Sequence, residues 1–189
     1  MLNLSILIPN KCEANIEAFI AEIERSLPAT EIIIAVDRYG YGKGWAMREA
    51  LAQAKGDKIA FLDGDGDIPP RMLKRLLPLL EDYDVVVGSK RIMHAPLHRK
   101  IITHLSRIYI RLFFGLSCDT QTGIKLFRRE ALEAWKSDGF LFDIEILAKA
   151  QKRGFRIMEM PIEAEITRPM QMGVIWRAFK ESVRLWFRS

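Results

Sequence analysis

Cysteine is scarce in this 189-residue chain: only Cys12 and Cys118 are present, alongside three histidines. Two cysteines so far apart offer neither metal-ligand spacing nor a disulfide framework, which points to a reducing compartment. His94, His98 and His104 cluster in sequence. No neighbouring carboxylate completes a metal site with them, so they are expected at the surface or an interface. No nucleophile stands beside an evident base. No stretch of about 18 uncharged residues exists, so no helix is expected to cross a bilayer. The apolar run Leu4 to Pro9 is too short for a secretory leader. Internal repeats, low-complexity tracts and linkers are also missing, and one domain over residues 1–189 is expected.

What is present suits a globular protein. Hydrophobic residues make up 49% and charged residues 28% of the chain, ordinary values for a folded domain. A chain this long buries roughly 70% of its unfolded surface. The net charge of +5 is unevenly placed: residues 1–95 carry 12 basic and 14 acidic side chains, residues 96–189 carry 17 and 10. An acidic half and a basic half point to a substrate with phosphates, an anionic surface, or both. No nucleic-acid partner is expected.

The first half alternates strand and helix. Leu2 to Ile8 reads as a strand, Glu13 to Ser26 as a helix, and Glu31 to Val36 as an Ile-rich strand buried on both faces. Gly44 to Lys55 reads as a helix, Lys58 to Leu62 as a strand, Arg71 to Leu80 as a helix and Asp84 to Val87 as a strand. This order predicts an α/β fold with a mostly parallel central sheet flanked by helices. In the second half, Leu97 to Leu116 is long, apolar and studded with Arg99, Lys100, Arg107 and Arg111. Gly123 to Arg128 reads as a strand and Phe142 to Arg153 as a helix. Arg156 to Met160 and Ile162 to Ile166 read as two strands split by Pro161. Val174 to Phe187 reads as a last helix.

The densest chemical signal is Asp63-Gly64-Asp65-Gly66-Asp67, directly after the apolar Lys58 to Leu62. Extended backbone would turn all three carboxylates to one side. Clustered negative charges need a compensating cation or base, and oxygen donors at this density suit Mg2+ or Mn2+ with a substrate phosphate. A solvated Asp/Gly turn is the plainer alternative. An EF-hand loop is excluded, because Ile68 and Lys74 stand where Gly and Glu are required. Position favours a site: ligands of open α/β sheets bind beyond the carboxyl ends of strands. Pro69-Pro70 then suits the first turn of a helix.

Gly40-Tyr41-Gly42-Lys43-Gly44 invites comparison with a phosphate loop. The Walker pattern fails, because Asp37 stands at the first glycine and Gly44 at the Ser/Thr. A flexible loop opening a helix remains, with Lys43 able to reach phosphate.

Taken in order, these segments resemble the inverting family-two glycosyltransferases of GT-A fold, nearest the dolichyl-phosphate mannose synthase group. Pro9-Asn10-Lys11-Cys12-Glu13 is similar to the opening P-x-Y-N-E, with Pro and Glu matching. Gly42 to Leu51 is similar to the GKG-x-A-x-R-x-G-L segment, and Asp63 to Pro70 to D-A-D-L-Q/S-x-P-P. Gly88-Ser89-Lys90-Arg91 follows G-S-R, and Arg99 to Thr103 follows R-K-L-I-S. Asp119 to Lys125 stands for D-P-T-S-G-F-R. Phe142-Asp143-Ile144-Glu145 and Glu159-Met160-Pro161-Ile162 match the late helix and strand. One departure is clear. After its second strand the family carries D-D-x-S-x-D-x-T, a helix and another strand; here Asp37 runs through Arg38-Tyr39-Gly40 straight into the GKG segment. The nucleotide-binding half is therefore shortened.

The resemblance implies a single GT-A domain, with a nucleotide and metal half at 1–95, an acceptor half at 96–173 and an amphipathic helix at 174–189. It implies a nucleoside diphosphate sugar donor and a polyprenyl phosphate or similar acceptor. Asp63, Asp65 and Asp67 would hold Mg2+ or Mn2+, with Asp65 and Arg91 in the catalytic set. Arg91, Arg99, Arg168 and Arg177 would clamp phosphate. Pro9, Glu13, Asp37, Lys43, Thr103, Thr122 and Glu145 would line the substrates. An anionic acceptor needs little base help; for a hydroxyl acceptor, Asp119 would be the base. In 175–189, Arg177, Lys180, Arg184 and Arg188 recur beside Trp176, Phe179, Val183, Trp186 and Phe187. That segment and Leu97 to Leu116 can lie in a headgroup layer or pack on the core with arginines in water. The expected location is the cytoplasmic face of a membrane. The rival readings are a nucleotidyltransferase, which lacks its glycine-rich opening here, and a membrane-associated binding module that has lost catalysis.

Overall fold

The central strands are apolar on both faces because each faces a layer of helices. The computed structural model describes residues 3–10, 15–28, 30–90 and 97–163, and of 10, 90, 97–101 and 103 the backbone alone. Chain order is β1 (Leu4–Asn10), α1 (Ile16–Ser26), β2 (Glu31–Val36), α2 (Lys43–Gln53), β3 (Lys58–Leu62), α3 (Arg71–Leu76), β4 (Val85–Lys90), α4 (Leu97–Phe114), β5 (Ile124–Arg128), α5 (Phe142–Lys152) and β6 (Ile157–Ile162).

The described strands form one six-stranded sheet in the order β2-β1-β3-β5-β4-β6. All pairings are parallel except those of β5, which runs against both β3 and β4. Alternate residues serve opposite faces. Leu7, Phe61, Val87 and Phe127 join Met47 of α2 and Leu147 of α5 on one side. Ile6, Ile8, Leu62, Val86 and Leu126 join Ile23 of α1 and Leu73 of α3 on the other. The α/β, mostly parallel architecture expected from the sequence is the one observed.

Three local expectations are corrected. The Ile-rich β2 was expected to be buried on both faces. It borders the sheet among the described residues and its isoleucines are only half-buried, because just β1 pairs with it. The helix expected to run to Leu80 ends at Leu76 and tightens into a 3-10 segment, Leu77–Glu81, with Pro78 in its first turn. Proline lacks the N–H that would continue the α pattern. Pro161 does not split a strand: it lies inside β6, opposite Ser89. A border strand tolerates proline, because its missing N–H can face outward. The second strand expected up to Ile166, and the helix over 174–187, extend outside the described residues.

The position of β2 can be tested with paired positions. Ile8 and Ile34 are register partners in β1 and β2, but Ile8 is fully buried and Ile34 is not. Ile8→Ala should cost about 2–5 kcal/mol in denaturant unfolding, and Ile34→Ala distinctly less. Equal costs would contradict the border position of β2.

Candidate active site

The carboxyl ends of β1, β2 and β3 emerge along one edge of the sheet, since the three strands are parallel. The reversed β5 brings its start to the same edge, with Leu62 opposite Ile124. Asp63 therefore meets Gly123, and its N–H donates to the Gly123 carbonyl at 2.8 Å. A Cβ at Gly123 would sit 2.6 Å from Asp63 Oδ2. Only glycine lets that carboxylate lie there.

Lys43 opens α2 and reaches across to Asp63, Nζ to Oδ1 at 2.7 Å. Burial opposes its charge. The carboxylates of Asp63, Asp143 and Asp65 outweigh that cost and raise the Lys43 pKa above the ordinary lysine value. A second pair lies alongside. Lys125, 2% exposed within β5, contacts Asp143 at 3.0 Å and donates to the Thr122 carbonyl at 2.6 Å. Pro9, Lys43, Asp63, Thr122, Lys125 and Asp143 line one cleft, floored by Phe61 and Phe142. Thr122 Oγ1, and nearby in sequence Thr120 Oγ1, are buried without a hydrogen-bond partner among the described residues. Buried hydroxyls are normally satisfied, so a ligand or water group is the natural partner for Thr122 in this cleft.

The structure unites four expected contacts, Pro9, Lys43, Asp63 and Thr122, and adds Lys125 and Asp143. The signal for that pair was a lysine between buried apolar neighbours in β5. A buried lysine needs a carboxylate partner, and Asp143 is that partner.

The acidic run is a turn, and the extended alternation expected of it is corrected. The backbone bends from Gly64, Gly66 takes φ +78°, and the Asp67 N–H donates to Asp65 Oδ1 at 3.2 Å. Asp67 is 8% exposed. Among the described residues, no three acidic or histidine groups are gathered as a ready metal set. Donor type and local field nonetheless fit a hard cation: three carboxylates share five residues, and a lysine ammonium already stands against Asp63.

Other expected residues are committed elsewhere. Both Asp37 oxygens accept backbone N–H groups, from Tyr41 at 2.9 Å and Gly42 at 2.8 Å, which closes the loop before α2. Asp119 accepts the Gln121 N–H and lies 3.8 Å from Arg107. Arg107 also approaches Glu159 at 3.5 Å and so ties α4 to β6. Burial, reinforced by the Glu159 charge, pushes the Cys118 thiol up to about 11; it is an inert thiol at neutral pH. Glu13, Arg91, Arg168 and Arg177 lie outside the described residues, as do the side chains of Arg99 and Thr103.

Glu145 does not line the cleft. It accepts hydrogen bonds from the Lys136 N–H and from the N–H and hydroxyl of Ser137, at 2.7–2.9 Å. It pins the segment whose Gly139 and Asp138 carbonyls accept the Gly44 and Trp45 N–H groups.

With this geometry in view, the comparisons are specific. Residues 4–188 match the family described as Glycosyltransferase like family 2, and the chain belongs to that family. It is 33% identical over 135 residues to the glycosyltransferase AglD of Haloferax volcanii, covering 66% of this chain and 22% of that protein. It is 27% identical over 147 residues to undecaprenyl-phosphate mannosyltransferase of Micrococcus luteus, covering 71% and 60%. With polyprenol monophosphomannose synthase of Mycolicibacterium smegmatis it shares 25% over 200 residues, covering 83% and 75%. The chain thus spans about a fifth of the first relative and just under two thirds of the second. Among solved structures it resembles glucosyl-3-phosphoglycerate synthase of Mycobacterium tuberculosis in complex with Mn2+ and UDP-glucose. The TM-score is 0.76 at 19% identity, covering 95% of this chain and 76% of that one. The resemblance and GT-A fold expected from the motifs are borne out.

Glu145 generates a pH prediction. Burial opposes its charge, but the hydrogen bonds from Ser137 and Lys136 prevail and hold its pKa below the ordinary value. A lowered folded pKa adds stability that is present above the unfolded value, about 4.3, and is lost as pH falls through the folded one. Glu145→Gln should cost about 1–3 kcal/mol at pH 7. The gap to wild type in thermal or denaturant unfolding should narrow as pH drops below about 4. A gap unchanged down to pH 2–3 would contradict this role.

Proposed function

We propose that the chain is the transferase domain of a metal-dependent, inverting glycosyltransferase. It would move a sugar from a nucleoside diphosphate sugar to a polyprenyl phosphate or similar lipid phosphate. The observation that carries this reading is the Lys43–Asp63 pair at the carboxyl edge of the sheet, beside the Asp65/Asp67 turn and the Lys125–Asp143 cleft. Support comes from two of the relatives, undecaprenyl-phosphate mannosyltransferase and polyprenol monophosphomannose synthase. A neighbouring fold was also solved with Mn2+ and a sugar nucleotide.

Asp63, Asp65 and Asp67 are the residues that would hold Mg2+ or Mn2+. Such an ion offsets the charge that builds on a departing diphosphate. Lys43 is placed to shift from Asp63 to a phosphate oxygen, because a flexible lysine acts as a movable point charge. The Thr122 hydroxyl can pair with a sugar or phosphate oxygen entering the cleft. In the reaction, an oxygen of the acceptor phosphate bonds to the anomeric carbon as the bond from that carbon to the diphosphate breaks. The acceptor oxygen is already anionic, so no proton has to be removed. That agrees with Asp119 being held in the Arg107 and Gln121 network rather than in the cleft.

No described helix is long and apolar enough to cross a membrane. Yet α4 exposes Leu105, Ile108, Leu112 and Phe113, with Arg111 in its last turn. Leu105, Ile108 and Leu112 recur at helical spacing. This row supports an interfacial contact at the cytoplasmic face, where a lipid-linked acceptor would be presented. Leu105→Glu/Leu112→Glu should therefore reduce partitioning onto anionic vesicles in a sedimentation assay. Equal partitioning by a folded double variant would remove α4 from the contact.

A second reading, a binding module without catalysis, draws on the short 37–42 loop. Metal-dependent release of sugar from the donor separates the two. Asp65→Ala should abolish Mn2+-dependent binding of UDP or GDP in calorimetry while leaving the unfolding midpoint nearly unchanged. Wild-type affinity in that variant would refute the metal assignment.

A further inference from the structure

Three aromatic rings, Tyr39 and Tyr41 exposed and Trp45 half-buried, crowd the loop that leaves β2, and no step of the proposed reaction uses them. Tyr39 and Tyr41 stack at 5.6 Å between ring centroids with 29° between planes. Trp45 stands nearly perpendicular to both, with centroids at 5.6 and 5.2 Å. Tyr39 is 69% and Tyr41 60% exposed. Burial therefore does not account for two large rings held together at the surface. The two hydrogen bonds to Asp37 fix the backbone beneath Tyr41, so the rings project from a closed turn.

Their place in the sheet gives them a ligand. The order β2-β1-β3 with all three strands parallel puts this loop and the Asp63 turn on the same edge. They stand two interstrand spacings apart, roughly 10 Å. Lys43 spans the gap: it follows the loop and its ammonium lies on Asp63. That is the scale on which a ribose separates a diphosphate from its base. Flat π-faces bind bases by stacking, and they do so without reading the base edges.

We propose that Tyr39 and Tyr41, braced by Trp45, form a stacking platform for the nucleobase of the nucleoside diphosphate. It rests on the donor-binding reading above and goes beyond it by assigning base recognition to named rings. Because Asp37 is committed to the loop backbone, the platform supplies ring overlap in place of edge-reading hydrogen bonds. Uridine and guanosine diphosphates should then bind with similar affinities.

Calorimetric titration of UDP, GDP and inorganic pyrophosphate, each with Mn2+, tests this on three proteins: wild type, Tyr39→Ala/Tyr41→Ala and Tyr39→Phe/Tyr41→Phe. The alanine variant should bind both nucleotides roughly tenfold to a hundredfold more weakly. Its pyrophosphate affinity should stay within about twofold of wild type, and the phenylalanine variant should resemble wild type throughout. Exposure of both rings predicts unchanged unfolding midpoints, which checks the folded state. If the alanine variant binds nucleotides as wild type does, the platform is wrong and the donor-binding reading stands. Weakened pyrophosphate binding, or an equal loss in the phenylalanine variant, would also overturn stacking. If wild type binds pyrophosphate but neither nucleotide, the donor-binding reading falls and the platform with it. Unchanged nucleotide affinity with lost partitioning onto anionic vesicles would make the rings a membrane anchor instead.

Discussion

The Lys43–Asp63 ion pair joins the parts from which the site is made. Lys43 begins α2, directly after the loop that leaves β2; Asp63 ends β3 and abuts Gly123 at the start of β5. Three segments distant in sequence thus meet at Asp63, through the 2.7 Å ion pair and the 2.8 Å backbone hydrogen bond. A largely desolvated lysine is costly unless carboxylates face it. Here Asp63, Asp143 and Asp65 all favour its charge. The same carboxylates make the edge attractive to a cation, and the lysine makes it attractive to a phosphate. A site balanced in this way accepts a metal and a diphosphate together more readily than either alone, because each neutralises the field that opposes the other.

The rest of the fold keeps that contact in place. The reversed β5 is what brings Gly123, Thr122 and Lys125 to the carboxyl end of β3. Glu145 pins residues 136–137, and the adjoining Asp138 and Gly139 carbonyls hold the first turn of α2. Lys43 is therefore positioned from outside the cleft by a carboxylate that does not enter it. Arg107 secures α4 to Glu159 and Asp119 on the far side, leaving the outer face of that helix apolar.

Much of this was legible in the residues. Strands β2 and β3 have the predicted bounds, because each is a short apolar run enclosed by polar or glycine residues. The Asp-rich turn and Lys43 stood out because charge and glycine were concentrated beside apolar strands. What the residues could not show depended on tertiary placement. An isoleucine run reads the same in a central strand as in a border strand, so the half-burial of β2 was hidden. Pro161 looked like a break because its tolerance rests on β6 bordering the sheet. The turn at Gly64 and Gly66 was masked by the alternating pattern, which fits extended backbone equally well. Lys125 and Asp143 lie 18 positions apart and become partners only when β5 and α5 meet. The backbone amides that Glu145 and Asp37 hold were equally hidden, because a carboxylate so engaged carries no mark in the sequence.

The most direct test of the account is a crystal grown with Mn2+ and UDP, with anomalous diffraction recorded at the manganese edge. The account predicts one anomalous peak at the Asp63–Asp67 turn, with the diphosphate next to it and within reach of Lys43. A well-ordered nucleotide bound elsewhere on the chain, or bound at this edge with no manganese at the turn, would contradict it.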